Sequence, residues 1–279
     1  MARELSFAQL AERSIIKTYR KEIWNPFVEG CKEYRLISEG DRIAVCISGG
    51  KDSVLLAVCM KHLQRISDVN FELKFICMDP GYNEANRKQI EENCKRLEIP
   101  VEFFESDIFS VTESVGGSPC YLCARMRRGH LYAKAKSLGC NKIALGHHLS
   151  DVIETTLMGM FYGSQLQAML PRLESTNFEG MELIRPLYCV NERAIIRWRD
   201  YNSLTFIQCA CRFVDEYSHS EDGIGNSKRQ EIKKLIDELR RVNPDIEHNI
   251  FKSIQNVKLD TFIAYKQDGI EHSFLENLP

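Results

Sequence analysis

The chain has 279 residues, 44% of them apolar and 27% charged, with 16 Gly and 8 Pro, which excludes a disordered or fibrous protein and allows one large core or two unequal ones. Its 37 Lys and Arg against 39 Asp and Glu leave a net charge of −2, so a uniformly basic nucleic-acid coat is excluded while a local basic face is not. No apolar run approaches the roughly 18–20 residues of a membrane span, and the opening MARELSFAQLAERS is not of signal-peptide type, so a cytoplasmic setting without membrane contact is expected.

Residues 1–40 read as a helical lead-in closing at Glu39-Gly40. The β-rich run RIAVCIS at 42–48 is then followed by apolar residues at helical spacing over 51–66, a strand and a helix. Strand 71–79, helix 83–97, strand 101–106, helix 125–139, strand 142–147, helix 151–163 and strand 182–187 continue the alternation. Strands separated by helices and short turns predict an α/β fold, a doubly wound parallel sheet whose ligands gather at the carboxyl ends of the strands. The acidic, Gly-containing stretch 212–226 reads as a mobile loop, and 226–267 as two helices broken at Asn243-Pro244. The expected organisation is a lead-in over 1–40, the α/β domain over 41–211, and a loop with C-terminal helices over 212–279.

The eleven cysteines, in a reducing compartment, are expected as thiols rather than a disulfide framework. Cys46, Cys59, Cys77, Cys94 and Cys140 lie in apolar runs, where free Cys serves as a small buried hydrophobe, and Cys31 and Cys189 are solitary. Four remain as close pairs. Pro119 precedes Cys120-Tyr121-Leu122-Cys123, a spacing that suits a redox pair, half a zinc site or part of an iron–sulfur ligand set. No strand leads directly into it, against the redox reading, and zinc needs both Cys209 and Cys211, a tight CxC geometry. Three thiolates on a cubane leave one iron open.

The strongest motif is Ser48-Gly49-Gly50-Lys51-Asp52-Ser53, between the first strand and its helix. Its glycines permit a tight turn with exposed N–H groups, its serines add hydroxyls and the helix N-terminus adds positive potential, which together suit phosphate oxygens. It lacks the Walker GxxxxGK[ST] and the dinucleotide GxGxxG spacings. Gly146-His147-His148-Leu149-Ser150-Asp151 follows a strand and is expected at the same sheet edge. From Ser114 to Ser150 there is no acid, while Arg125, Arg127, Arg128, Lys134, Lys136 and Lys142 supply six positive charges, a patch suited to RNA phosphates with Tyr121 and Tyr132 as base-stacking candidates. The cluster Lys228-Arg229, Lys233-Lys234 and Arg240-Arg241 is interrupted by acids and reads as a solvated face.

SGGKDS after a strand resembles the PP-loop of the ATP pyrophosphatase superfamily, whose members cleave ATP between the α and β phosphates. The ordered set EGDRIAVCISGGKDS, CYLCARMRRGH, GHH, ELIRPL and FIQCACRF, over roughly residues 15–260, is similar to the tRNA 2-thiocytidine synthetases. That resemblance implies ATP held by Ser48, Gly49, Gly50, Lys51, Asp52, Ser53, Gly146 and His147, with Lys51, Asp52 and Asp151 in catalysis and Mg²⁺ handling. It implies a [4Fe–4S] cluster on Cys120, Cys123 and Cys209, matched through the preceding FIQ, with Cys211 as the alternative because the family commonly has CxxC where this chain has Cys209-Ala210-Cys211. The family's turn after GHH carries two acids; here the first is Ser150. The implied partners are tRNA, contacted by Arg125, Arg127, Arg128 and Lys134, and a sulfur donor such as a cysteine desulfurase or free sulfide. The implied reaction adenylates the C2 oxygen of an anticodon-loop cytidine, position 32 in the family, and replaces it with sulfur. Another PP-loop tRNA-modifying enzyme (a 2-thiouridine synthetase or lysidine-type ligase) and a non-catalytic, zinc-stabilised nucleotide-binding adaptor stay open, as does assembly into a homodimer.

Overall fold

Alternation along Arg42–Ile47, strand β1, decides the layering: Ile43, Val45 and Ile47 join one buried cluster and Ala44 and Cys46 another. Successive side chains of a strand point to opposite faces, so β1 is covered on both. The computed structural model describes residues 4–106, 119–207 and 228–277, with 119–125 as helix backbone only. Two compact units result, Met1–Val152 with Met169–Asn226, and Ile153–Ala168 with Ser227–Pro279.

In the first unit, α1 (Phe7–Ile16), a π-helical turn and α2 (Asn25–Glu33) lead into β1, followed by α3 (Lys51–Ile66), β2 (Glu72–Asp79), α4 (Glu84–Arg96), β3 (Val101–Glu105) and α5 (Pro119–Ser137). Then come β4 (Lys142–Ala144), α6 (Leu149–Gly163), which continues into the second unit, β5 (Arg172–Glu174), β6 (Glu182–Ile184) and α7 (Glu192–Tyr201). The sheet order is β3-β2-β1-β4-β6-β5, parallel throughout except for the β5–β6 pair. Residues of α1, α2, α3, α4 and α7 pack on one face, and Tyr132 and Ala135 of α5 on the other, which is the expected doubly wound arrangement. The five cysteines expected in the core are buried, and no disulfide links the described residues.

Several boundaries differ from expectation. Strand β6 stops at Ile184 because the chain then turns through Pro186, with the Tyr188 amide donating to the Arg185 carbonyl at 3.0 Å. The antiparallel β5 and the helix α7, N-capped by Asn191, are additions, and α5 starts six residues before 125. In the second unit α8 (Lys228–Val242) and α9 (Ile246–Ser253) match the two expected helices, but helix does not continue to 267. Strands β7 (Ala264–Gln267) and β8 (Ile270–Ser273) form a hairpin instead, turned by Asp268 and Gly269 at φ of 51° and 82°. The stretch 212–226 lies outside the described residues. Among those described, no helix is long and apolar enough to cross a membrane.

Candidate functional site

Strand order reverses between β1 and β4, so the loops that leave their carboxyl ends meet across a crevice, the ligand-binding place of such sheets. After β1 the chain turns through Ser48, Gly49 and Gly50 into α3. Gly49 has φ of +81°, and a Cβ there meets side-chain atoms of Ile90 at 2.7 Å and Ile207 at 2.8 Å, so both conformation and space demand glycine. Ser53 Oγ donates to the Gly50 carbonyl at 3.0 Å and accepts from the Ser48 amide at 3.1 Å, with Ser48 Oγ at 3.2 Å. Ser53 therefore shapes the loop, while the N–H groups at the start of α3 stay available for an anion.

The Gly146 turn packs directly on this loop: a Cβ at Gly146 is 3.0 Å from the Asp52 carbonyl carbon and the Ser53 nitrogen. Two residues on, His148 caps α6 reciprocally. Its Nδ1 accepts from the Asp151 amide at 3.3 Å, and Asp151 Oδ2 accepts from the His148 amide at 3.0 Å. Asp151 Oδ2 is also 3.3 Å from Nδ1, but an Nδ1 that accepts an N–H leaves the ring proton on Nε2. Nε2 faces Asp52 Oδ1 at 3.6 Å and Glu192 Oε1 at 4.0 Å.

Three helices thus contribute an acid from their first turns, Asp52 of α3, Asp151 of α6 and Glu192 of α7, around the buried His148. Lys51 Nζ lies between two of them, 2.9 Å from Glu192 Oε1 and 3.3 Å from Asp52 Oδ2. Burial works to lower the Lys51 pKa, but the two carboxylates prevail and raise it. The opposite balance holds at Asp52, where burial, aided by Asp151, raises the carboxyl above its ordinary range against the pull of His148 and Lys51. Asp52 Oδ1 is buried and has no hydrogen-bond partner among the described residues.

A cavity of about 310 Å³ opens here, lined by Ser48, Asp52, Ser53, Gly146, His147 and Asp151, with Met78 and Tyr82 from the β2 end and Arg127 and Leu131 from α5. The PP-loop and the GHH turn are therefore together, as the sequence suggested, and Arg127 joins them at the cavity. Arg128 is exposed and lines a different cavity. Other expectations require correction. Lys142 does not join a basic face: it is 2% exposed and bonded to Asp41 and Glu182, acids brought in from distant segments. Tyr132 is buried and stacked on Phe178 at 5.2 Å, so it is a core side chain and not a base platform. Lys134 pairs with Glu102 at 2.5 Å.

Cys209 and Cys211, and the side chains of Cys120, Tyr121, Cys123 and Arg125, lie outside the described residues. The backbone positions 120 and 123 fall in the first two turns of α5, seven and four residues before Arg127, a spacing that runs along one helical stripe. Glu192 was not anticipated. The Asn191-Glu192 start of α7 was the available signal, but 141 positions separate Glu192 from Lys51.

A glycine turn at a helix start, facing a second turn across the switch point of a parallel sheet, defines a PP-loop nucleotide-binding protein, and the PP-loop domain family matches residues 16–218. A solved structure, the U34-tRNA thiolase NcsA from Methanococcus maripaludis with its [4Fe-4S] cluster, shares the fold at a TM-score of 0.65 and 20% identity, over 84% of this chain and 79% of that one. A tRNA-cytidine(32) 2-sulfurtransferase from Alkalilimnicola ehrlichii is 37% identical over 87% of this chain and 75% of its own length; one from Geobacter sulfurreducens is 36% identical over 85% and 90%. The chain belongs to the tRNA-cytidine(32) 2-sulfurtransferase family.

Proposed function

We propose that the protein is an ATP-dependent tRNA sulfurtransferase that converts an anticodon-loop cytidine, at position 32, to 2-thiocytidine in the cytoplasm. One observation carries the reading beyond family membership. Helix α5, whose Arg127 and Leu131 line the same cavity as Ser48, Asp52 and Asp151, is the helix whose first two turns carry positions 120 and 123. An adenylating pocket and a thiol pair thus belong to adjacent turns.

A pyrimidine C2 oxygen is a poor leaving group, so it is first esterified. The C2 oxygen attacks the α-phosphorus of ATP, the bond to the bridging oxygen breaks, and pyrophosphate leaves with the electron pair. The amides at the start of α3 face the developing charge on that leaving group. Asp52 and Asp151 would hold Mg²⁺, and the partnerless buried Asp52 Oδ1 fits that ion. Among the described residues no set of three or more acids, His or Cys is arranged to hold a metal alone, which suits an ion completed by phosphates and water. Bound there, Mg²⁺ neutralises phosphate charge.

A sulfur nucleophile at the oxidation level of sulfide, supplied as free sulfide or released from a cysteine desulfurase's persulfide by a thiol reductant that gives up two electrons, then adds to C2 and AMP departs. Cys120, Cys123 and Cys209 would hold a [4Fe–4S] cluster; two thiols one turn apart at a helix start suit thiolate ligation. When bound, the cluster supplies an iron position for the incoming sulfur. Arg127 at the cavity and the exposed Arg128 hold the RNA backbone. The test is mass spectrometry of tRNA nucleosides from a strain lacking the gene, complemented by wild type or Cys120→Ala. Loss of 2-thiocytidine alone, restored by wild type and not by the variant, with ATP binding by the variant intact, is expected. Unchanged 2-thiocytidine would overturn the assignment.

A further inference from the structure

Lys51 is the cation of the phosphate loop, yet its ammonium is held by two carboxylates, and one of them comes from a helix that no reading of the loop includes. Glu192 stands in the first turn of α7, where the Asn191 side chain caps the helix by accepting from the Arg193 amide at 2.9 Å. Its own amide donates to Ser150 Oγ at 3.3 Å, which ties the starts of α6 and α7 together. Its carboxylate reaches back to Lys51 Nζ at 2.9 Å, with both side chains 19% exposed. The remainder of α7 is fixed by burial of Ala194, Ile195 and Trp198 in the core. Glu192 is therefore held in place by two helix starts and a packed helix, not by the lysine it meets.

We propose that Glu192 is a positioning residue for the adenylation step: it acts as a resident counter-ion for Lys51 that a nucleotide's phosphates must displace, and that reclaims Lys51 as pyrophosphate leaves. This rests on the sulfurtransferase reading above and concerns how its phosphate site lets go. The physical reason is competition. A loop built from helix-start amides and a free lysine attracts pyrophosphate strongly, and a product held that well slows turnover. A carboxylate at hydrogen-bond distance from the lysine offers it a partner whenever phosphate is absent, so the hold on phosphate is the difference between two pairings. Asp52 cannot serve alone as that partner, because it also faces His148 and the cavity.

The experiment measures equilibrium binding of ATP, inorganic pyrophosphate and adenosine to wild type and to Glu192→Gln, which keeps shape and hydrogen bonding but removes the charge. ATP and pyrophosphate are expected to bind roughly fivefold tighter, the order of one partly exposed ion pair, with adenosine unmoved. Inhibition of the reaction by pyrophosphate should strengthen by the same factor. A structural disturbance would move adenosine as well, or weaken all three. Should Glu192→Gln fail to fold, Glu192→Asp is compared with Glu192→Ser, and the serine variant is expected to bind pyrophosphate tighter, a gain that a Lys51→Met background removes. Unchanged or weaker binding of both phosphate ligands on removal of the Glu192 charge overturns the counter-ion role while the wild type still binds ATP. A wild type that binds neither ATP nor pyrophosphate overturns this role and the functional reading together.

Discussion

Two lysines, each set between two carboxylates, mark opposite ends of the same parallel strands, and their surroundings differ. At the amino ends, Lys142 Nζ lies 2.7 Å from Asp41 Oδ2, 3.3 Å from Glu182 Oε2 and 3.1 Å from the Leu36 carbonyl. Asp41 also accepts from the Ser38 amide at 2.7 Å and from Asn141 Nδ2 at 2.8 Å. Burial raises its pKa, but Lys142, Asn141 and Ser38 outweigh burial, and Asp41 ends below its ordinary value. At the carboxyl ends, Asp52 has Lys51 and His148 nearby, keeps a partnerless oxygen and ends above its ordinary value. The same residue types leave Asp41 well supplied with partners and Asp52 short of them, although Glu182 Oε2 beside Lys142, like Asp52 Oδ1, has no hydrogen bond among the described residues. A buried carboxylate short of partners is where a ligand is expected to finish the coordination.

Removing the cation at the amino ends is the largest expected effect. Lys142→Ala leaves Asp41 buried beside no counter-ion, with Glu182 still paired to Arg172, and a loss of about 3–5 kcal/mol is expected in denaturant unfolding. A loss under about 1 kcal/mol, the range of a surface pair, would erase the contrast. Next comes Asp52→Asn, for which turnover should fall by roughly 10²–10³ while the melting temperature at neutral pH rises. The sign follows from the raised folded-state pKa: the folded protein binds this proton more tightly than the unfolded chain, so an ionised Asp52 costs stability at neutral pH. That cost disappears as pH falls through the folded-state pKa, and with it the variant's advantage. Asp41→Asn should show the reverse, a destabilisation at neutral pH that narrows in acid, because Asp41 stabilises the fold only while ionised. Melting curves from pH 2 to 8 on the two variants separate the cases, because the Asp41 contribution is lost only below the ordinary carboxylate range. The smallest effect is at the basic helix. Arg128→Gln should reduce the log–log salt slope of tRNA binding by about 1, and Lys134→Gln, shared with Glu102, by a fraction of that.

The alternation of strands and helices was legible because the buried parallel strands are nearly continuous apolar runs, and SGGKDS was legible because its function is local. What escaped depends on partners distant in the chain. The count of six positive charges before Asp151 could not register that Asp41 and Glu182 neutralise Lys142, and Glu192 gives no sign in sequence that it meets Lys51. Tyr132 lies among basic residues in sequence and against Phe178 in space. The hairpin after Ser253 did carry a local signal, Asp268-Gly269, which the helical reading passed over. The antiparallel Arg172–Glu174 is too short and too polar to stand out as a strand.

That short strand has a bearing on how the chain survives its own folding. Parallel sheets assemble slowly from distant segments, and an open edge invites a neighbouring molecule to add itself. Here the growing edge ends in three residues, two of them charged, and Arg172 is already committed to the Arg35 carbonyl and to Glu182. An intruding polypeptide finds little ladder to extend and a charged side chain already engaged, so self-association through this edge is blunted at the moment the sheet is most vulnerable to aggregation.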